Sequence, residues 1–108
     1  MKKIAVTKSS GNVFVDIGLP NPEEHAAKAA LVSHIADAIE GLGLTQVEAA
    51  KRMKLSQPDV SKILKGHFDR FSLERLLLLL RRLGQDVRIE VAEPKRPRKT
   101  GKLTVEAA

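Results

Sequence analysis

Residues 44–66, LTQVEAAKRMKLSQPDVSKILKG, contain the signals for two short helices with a tight turn between them. Thr45 and Glu48 match the S/T-x-x-E capping box, in which two side chains satisfy free N–H groups at a helix start. Ser56 stands three residues before Asp59 and repeats this pattern, so we interpret Asp59 as part of a second cap. The stretch therefore predicts that one short helix starts at Thr45 and a second starts at Ser56.

The two predicted helices cover residues 45–53 and 56–65, and Gly66 stands where a glycine commonly follows a helix. Pro58 is compatible with the second helix, because an N–H in the first turn has no intrahelical partner. Two helices of this length joined by about three residues have the dimensions of a helix-turn-helix. We assign this unit to residues 45–65.

The apolar residues of the stretch support this assignment. At helical spacing, we expect the first helix to bury Val47, Ala50 and Met53, and the second to bury Val60 and Ile63. Ala50 lies midway along the first helix, where a small side chain lets the second helix cross closely. The pattern predicts two helices packed at an angle.

A longer helix is predicted before this unit. Asn21 can cap it and Pro22 fits its first position, because the ring fixes a helical φ and removes an N–H that would be unpaired. We expect this helix to run to about Glu40, with Gly41 and Gly43 ending it.

A fourth helix follows the unit, between Ser72 as its cap and Gly84 as its stop. Its leucine run predicts one broad core-facing side, with Leu79 at the edge of that side. The core-facing residues are Leu73, Leu76, Leu77, Leu80 and Leu83. Leu78 falls on the opposite side, and we interpret it as a contact for a second subunit or another partner.

The sequence DVRIEV at residues 86–91 alternates apolar and polar residues, which is the period of a half-buried β-strand. A lone strand is unstable, so this one needs a partner, either residues 13–17 of the same chain or a second subunit. Val87 and Ile89 are therefore further candidates for a dimer or partner contact.

The composition is that of a globular chain of one domain. Of its 108 residues, 43% are hydrophobic and 30% are charged, with a formal net charge of +6. A basic balance favours nucleic acid as partner over a membrane surface, and no apolar run resembles a signal peptide or membrane span. We expect a cytoplasmic protein with no membrane association.

Enzymatic readings find little support in the sequence. There is no cysteine to act as nucleophile or metal ligand, and the three histidines, His25, His34 and His67, lack metal-ligand spacing. No phosphate-binding glycine loop or nucleophile motif is present. We expect a protein that is not an enzyme and has no cofactor and no metal.

The stretch LTQVEAAKRMKLSQPDVSKILKG resembles the XRE, or Cro/C1-type, helix-turn-helix family of the lambdoid phage repressors. The flanking VFVDIGLPNPEEHAAKA and FSLERLLLLLRRLGQDVRIEV resemble the HigA-type antitoxin branch of that family. The resemblance covers roughly residues 13–91. It implies a mainly α fold, a lambda-repressor-like bundle of four to five helices, to which the alternating pattern adds a short C-terminal β-strand.

The resemblance also implies a function. It points to a homodimer that binds double-stranded DNA in the major groove of a palindromic operator and represses its own promoter. It further implies a RelE-fold toxin as partner. The resemblance does not explain the two ends of the chain. The pattern of residues 13–20 predicts an extended N-terminal arm over residues 1–21, and two prolines with five basic residues predict a basic flexible tail over residues 92–108. Residues 22–91 then form the DNA-binding and dimerisation domain. One departure is that Lys54 occupies a turn position where many relatives carry glycine.

Helical spacing places one set of polar residues on the outer side of the second helix of the unit, opposite Val60 and Ile63. The predicted base-reading residues are Gln57, Pro58, Ser61 and Lys62. A glutamine can pair with adenine through two hydrogen bonds, and a proline can contact a thymine methyl group.

The predicted phosphate-binding residues are Thr45, Gln46, Lys65 and Arg70. Gln46 matches the family's phosphate-contacting glutamine, and the N–H groups and dipole of a helix start also favour an anion. Two other interpretations stay open: a stand-alone phage-like regulator without a toxin, and a protein-interaction module that uses the leucine helix and the strand.

Overall fold

Each helix of the protein begins at a residue whose side chain accepts a hydrogen bond from the first turn. The computed structural model describes residues 21–107 and contains, over that range, the four helices α1 (Pro22–Leu42), α2 (Gln46–Met53), α3 (Gln57–Leu64) and α4 (Leu73–Arg82). The caps are Asn21, Thr45, Ser56 and Ser72, with N···O distances of 2.8 to 3.3 Å. All four predicted helix starts are confirmed.

The first helix ends later than predicted. Gly41 lies within α1, which continues to Leu42. Gly43 is the residue that ends it, with φ of 68°, and its N–H donates to the carbonyl of Glu40 over 3.0 Å. A single glycine inside a helix costs only about 1 kcal/mol relative to alanine, so Gly41 alone does not terminate a long, well-packed helix.

The helices enclose one apolar core, in which α1 packs chiefly against α4 and α2 chiefly against α3. The side chains buried most completely come from all four helices and from the residue that follows α4: Ile35, Met53, Val60, Ile63, Leu76, Leu79 and Leu83. Phe68 and Phe71, in the connection between α3 and α4, are buried as well and close the bundle at that point.

Two expectations about burial on the helices were wrong. Val47 is 46% exposed, because the buried side of α2 is formed by Ala49, Ala50 and Met53. At 100° per residue Val47 lies about 115° from the centre of that side. On α4 Leu79, predicted at the edge of the core-facing side, is fully buried, so the centre of that side lies closer to it. Leu73 and Leu77 are half-buried but pack against the core, as predicted.

The strand predicted over residues 86–91 is not formed. Residues 85–107 contain no helix or strand, and Ile89 and Val91 are exposed, whereas Val87 packs against the core. A strand needs a neighbour to pair its N–H and C=O groups, and the described part of the chain supplies none. The intrachain candidate, residues 13–17, and the predicted N-terminal arm to residue 20 lie outside the described residues.

No helix within residues 21–107 is long and apolar enough to cross a bilayer. Over the same range, the His, Asp and Glu side chains form no group of three that could hold a metal ion.

Candidate nucleic-acid interface

The turn between α2 and α3 consists of residues 54–56 and is closed by backbone hydrogen bonds. The N–H of Leu55 donates to the carbonyl of Ala50 over 3.0 Å, so the chain leaves α2 in a fixed direction. Ala49 and Ala50, both buried, allow α3 to pack closely across α2. The helix-turn-helix predicted over residues 45–65 is therefore present.

Lys54 is left-handed in this turn, with φ of 59° and ψ of 44°. It is the one residue other than glycine with positive φ among residues 21–107. A side chain in this conformation brings Cβ close to the next carbonyl oxygen, which is why glycine is favoured there. The turn thus has the left-handed conformation that glycine adopts most easily, but a lysine occupies the position, and the backbone of Lys54 is strained.

A side chain of α4 fixes the same turn from outside the unit. Nη1 of Arg82 donates to the carbonyl of Met53 over 2.9 Å, and this bond is partly buried. It satisfies one of the free carbonyls at the end of α2 and ties the unit to the helix that carries the leucine run. Sequence reasoning missed this contact, because residues 29 positions apart give no local signal.

The outer side of α3 presents most of the predicted base-reading residues to solvent. Gln57, Pro58 and Lys62 are exposed and Ser61 is half-buried, while Val60 and Ile63 are buried on the opposite side. None of the three exposed side chains makes a hydrogen bond or ion pair within residues 21–107. The donors and acceptors of Gln57 and Lys62 are therefore free to contact a ligand.

Asp59 has a smaller part in the cap than predicted. Its backbone N–H donates to Oγ of Ser56 over 3.3 Å, which confirms Ser56 as the cap. The reverse bond from the Asp59 carboxylate, which would complete a capping box, is not formed in this turn. Asp59 is half-buried and lines the same depression as Lys62. Its carboxylate lies in the first turn of α3, where negative charge interacts favourably with the positive end of the helix dipole.

The start of α2 carries a charge that the phosphate prediction left out. The N–H of Thr45 donates to Oε1 of Glu48 over 2.9 Å, and the N–H of Glu48 donates to Oγ1 of Thr45 over 3.1 Å. The backbone bond from Thr45, then its hydroxyl, then the charge of Lys51 lower the pKa of the Glu48 carboxyl. An ionised carboxylate thus lies at the helix end where Gln46 is expected to meet a phosphate.

This arrangement separates the two phosphate candidates of α2. Thr45 uses its backbone N–H as a donor and its hydroxyl oxygen as an acceptor in the capping box, so its hydroxyl proton is the one donor left for a phosphate. The Gln46 side chain, in contrast, is exposed and unpaired within the described residues. Gln46 is the better placed donor of the two. The capping motif is visible in the sequence, where it predicts a helix start but does not show that Glu48 places a negative charge beside Gln46.

An open depression of about 430 Å³ adjoins the outer side of α3. Lys62 and Arg70 both line it, together with Arg75, His67, Asp59, Asp69 and Phe71. The guanidinium of Arg75 lies 4.6 Å from the centre of the Phe71 ring, a cation–π contact that holds the arginine at this edge. The structure thus brings one base-reading candidate and one phosphate candidate to a single basic rim; Lys65 is exposed at the end of α3.

A second, larger groove of about 830 Å³ lies between α4 and the irregular segment after it. Leu77, Leu78, Val87 and Ile89 contribute its apolar lining, and Leu78 is 37% and Ile89 76% exposed. Arg75 borders both depressions, so this groove is next to the rim beside α3. The three predicted partner-contact residues Leu78, Val87 and Ile89 are brought together here.

Comparison with known proteins agrees with this geometry. A family model described as a helix-turn-helix domain matches residues 13–92. A solved structure described as an XRE family transcriptional regulator is 36% identical in sequence, with a TM-score of 0.76, and the match covers 82% of this chain and 100% of the other. No curated protein matches the chain. The family match, the shared fold and the turn between α2 and α3 establish that the chain belongs to the XRE family of helix-turn-helix DNA-binding transcriptional regulators.

Proposed function

We propose that the protein is a sequence-specific, homodimeric repressor that reads an operator through the outer side of α3. The main observation behind this proposal is the exposed polar side of α3, the second helix of the helix-turn-helix, which is the helix that enters the major groove in such units. Gln57 and Lys62 are exposed, unpaired within the described residues, and required neither by the core nor by a cap. Residues near the start of such a helix contact base edges in the major groove.

Each side chain has a distinct role in this proposal. Gln57, at the first position of α3, pairs with adenine through its amide, and Pro58 contacts a thymine methyl group. Lys62 reaches a guanine edge or a phosphate, and half-buried Ser61 offers its hydroxyl to a nearby base or phosphate. Gln46, Lys65 and Arg70 hold the flanking phosphates, with Thr45 a weaker contributor because its backbone N–H is taken by the capping box and only its hydroxyl can donate.

The groove beside α4 supports the dimer. Residues 86–91 form neither helix nor strand, and their apolar side chains Ile89 and Val91 are 76% and 95% exposed. A second copy that contacts Leu78 and pairs along residues 86–91 would bury these side chains and satisfy the unpaired backbone. Two α3 helices in such a dimer read half-sites about one helical turn, roughly 34 Å, apart.

We further propose that the protein is the antitoxin of a type II toxin–antitoxin pair and represses its own operon. The resemblance of residues 13–29 and 71–91 to the HigA-type branch supports this role. The test is co-expression with a small RelE-fold protein encoded beside it. Growth arrest by that protein alone, relieved by co-expression, is the expected result; a gene that stands alone, or a neighbour whose toxicity persists, contradicts the antitoxin role and favours a stand-alone regulator.

Base reading is tested by selection from a library of random duplexes. We expect the full chain to enrich a palindrome whose half-site centres lie about 10 base pairs apart. Parallel selection with Gln57→Ala should lose preference at one position of each half-site, whereas Gln85→Ala, which removes an exposed glutamine side chain outside the proposed surface, should return the wild-type motif. No enrichment by the wild-type chain contradicts sequence-specific binding.

A further inference from the structure

The segment of residues 95–102, here called the basic loop, has a high density of positive charge. It contains no acidic residue, and each of its eight residues is exposed. Its five basic residues are Lys95, Arg96, Arg98, Lys99 and Lys102. Charge of one sign at this density repels itself and attracts polyanions.

The basic loop is anchored to the domain on both sides. Val87 before it and Val105 after it are both half-buried and pack against the hydrophobic core, while every residue from 88 to 104 is exposed. The chain therefore leaves the domain and returns to it. At about 3.5 Å per residue, the 17 exposed residues measure roughly 60 Å, so the charges stay within about 30 Å of an anchor.

Two prolines further limit the conformations of this segment. Pro94 and Pro97 have a fixed φ, and each restricts the residue before it to extended conformations. Attachment at both ends and restricted backbone angles reduce the conformational entropy that binding would cost. A ligand of the basic loop thus meets cations that are already confined to the neighbourhood of the two anchors, Val87 and Val105.

The basic loop has no anionic partner within residues 21–107. The ion pairs in that range are Lys28–Glu24 and His25–Asp69, and neither involves the loop. Its charges are therefore available to a partner. In a DNA-binding family, the polyanion beside the domain is the duplex that α3 contacts.

We propose that the basic loop is a second, sequence-independent contact with the phosphate backbone of the DNA bound by α3. This inference rests on the proposed function, because it assumes that α3 positions the duplex. The loop adds affinity equally for every sequence and makes binding more dependent on salt, since each neutralised phosphate releases condensed counterions. It leaves base preference to α3.

The direct test is a variant with glutamine at all five basic positions, K95Q/R96Q/R98Q/K99Q/K102Q. Its dissociation constant is measured on the selected operator and on a random 30-base-pair duplex, between 50 and 200 mM NaCl. Each lost phosphate contact should reduce the slope of log affinity against log salt by about 0.9. If the loop makes two to five such contacts, the ratio of the variant's dissociation constant to that of wild type should fall by about 12- to 500-fold between 50 and 200 mM NaCl. The operator-to-random ratio should not change.

Two companion variants separate the possible outcomes. Val105→Ser keeps all five charges but weakens one anchor, and should lower affinity on both duplexes by less than the five-position variant does. Gln57→Ala should lower the operator-to-random ratio while retaining the salt slope. Thermal unfolding at the wild-type midpoint, expected because all five positions are exposed, shows that the five-position variant is folded.

The inference and the proposed function fail in different ways. If the wild-type chain shows no operator preference, base reading by α3 fails. If that preference is present but the five-position variant keeps the wild-type affinity and slope, the basic loop does not contact DNA. Unchanged DNA binding with loss of binding to phosphatidylserine vesicles would overturn the DNA assignment in favour of an anionic membrane surface.

Discussion

Lys54 offers the sharpest test of the local structure, because it holds a conformation that glycine tolerates better. Its φ of 59° and ψ of 44° close α2, and its side chain is exposed. We expect Lys54→Gly to stabilise the protein without altering the fold. The lysine side chain makes no hydrogen bond or ion pair within the described residues that the change would remove.

The magnitude follows from two opposing effects. The left-handed conformation costs a residue with Cβ about 1–2 kcal/mol, and glycine removes this cost. Glycine also gains about 0.5–1 kcal/mol of conformational entropy in the unfolded chain, which opposes part of the benefit. The difference lies between about 0 and 1.5 kcal/mol, so the free energy of unfolding should rise by about 0.75 kcal/mol, the middle of that range. This corresponds to about 3–6 °C in Tm for a domain of this size.

The assay is urea unfolding followed by circular dichroism, with one shared m-value for all variants. Lys54→Ala is the matched control, because it removes the charge and the long side chain but keeps Cβ. It should lie within about 0.5 kcal/mol of wild type. If the free energy of unfolding of Lys54→Gly is no higher than that of Lys54→Ala, then the Cβ of residue 54 does not strain the turn, and the reasoning is refuted.

Four further predictions concern the surroundings of the site. Arg82→Ala should destabilise the protein by about 1–3 kcal/mol in the same assay, because it leaves the part-buried carbonyl of Met53 without its donor, whereas the exposed Arg81→Ala should cost less than about 0.5 kcal/mol; equal effects would contradict the role of the bond. Glu48→Gln should increase affinity for random duplex DNA in low salt, because it removes a negative charge beside Gln46, and unchanged or weaker binding would place the phosphate elsewhere. The lowered pKa of Glu48 stabilises the fold at pH values above its ordinary value of 4.5. The part of the stability difference between wild type and Glu48→Gln that comes from this ionisation should therefore shrink as pH falls from 4.5 through the lowered pKa of the folded state. Leu78→Asp and Ile89→Asp should each convert a dimer to a monomer in sedimentation analysis, while Leu103→Asp, also exposed but outside the groove, should not; a wild-type monomer at high concentration would contradict the dimer.

The features of the fold that depend on residues close together in the sequence were predictable. Thr45 with Glu48, Ser56 and Ser72 are caps because their partners lie three residues away, and these interactions depend little on the rest of the molecule. The outer side of α3 was predictable as well, since helical spacing opposite Val60 and Ile63 determines which residues face solvent.

The rest depends on distant contacts. The burial of Ala49 and Leu79, and the exposure of Val47, depend on how the helices rotate against one another, which a single helix does not specify. The bond from Arg82 to Met53 joins two elements 29 residues apart. Strand formation at residues 86–91 depends on a pairing partner, and a second copy of the chain is the partner we propose.

The central claim is that α3 reads bases through Gln57, and one comparison of dissociation constants tests it most directly. Gln57→Ala and Lys65→Ala are each measured on the selected operator and on a random duplex of equal length. We predict that Gln57→Ala weakens operator binding by about 1–3 kcal/mol, or five- to 150-fold, with little effect on the random duplex. Lys65→Ala should weaken both equally. Equal losses on the two duplexes for Gln57→Ala would contradict base reading by this residue.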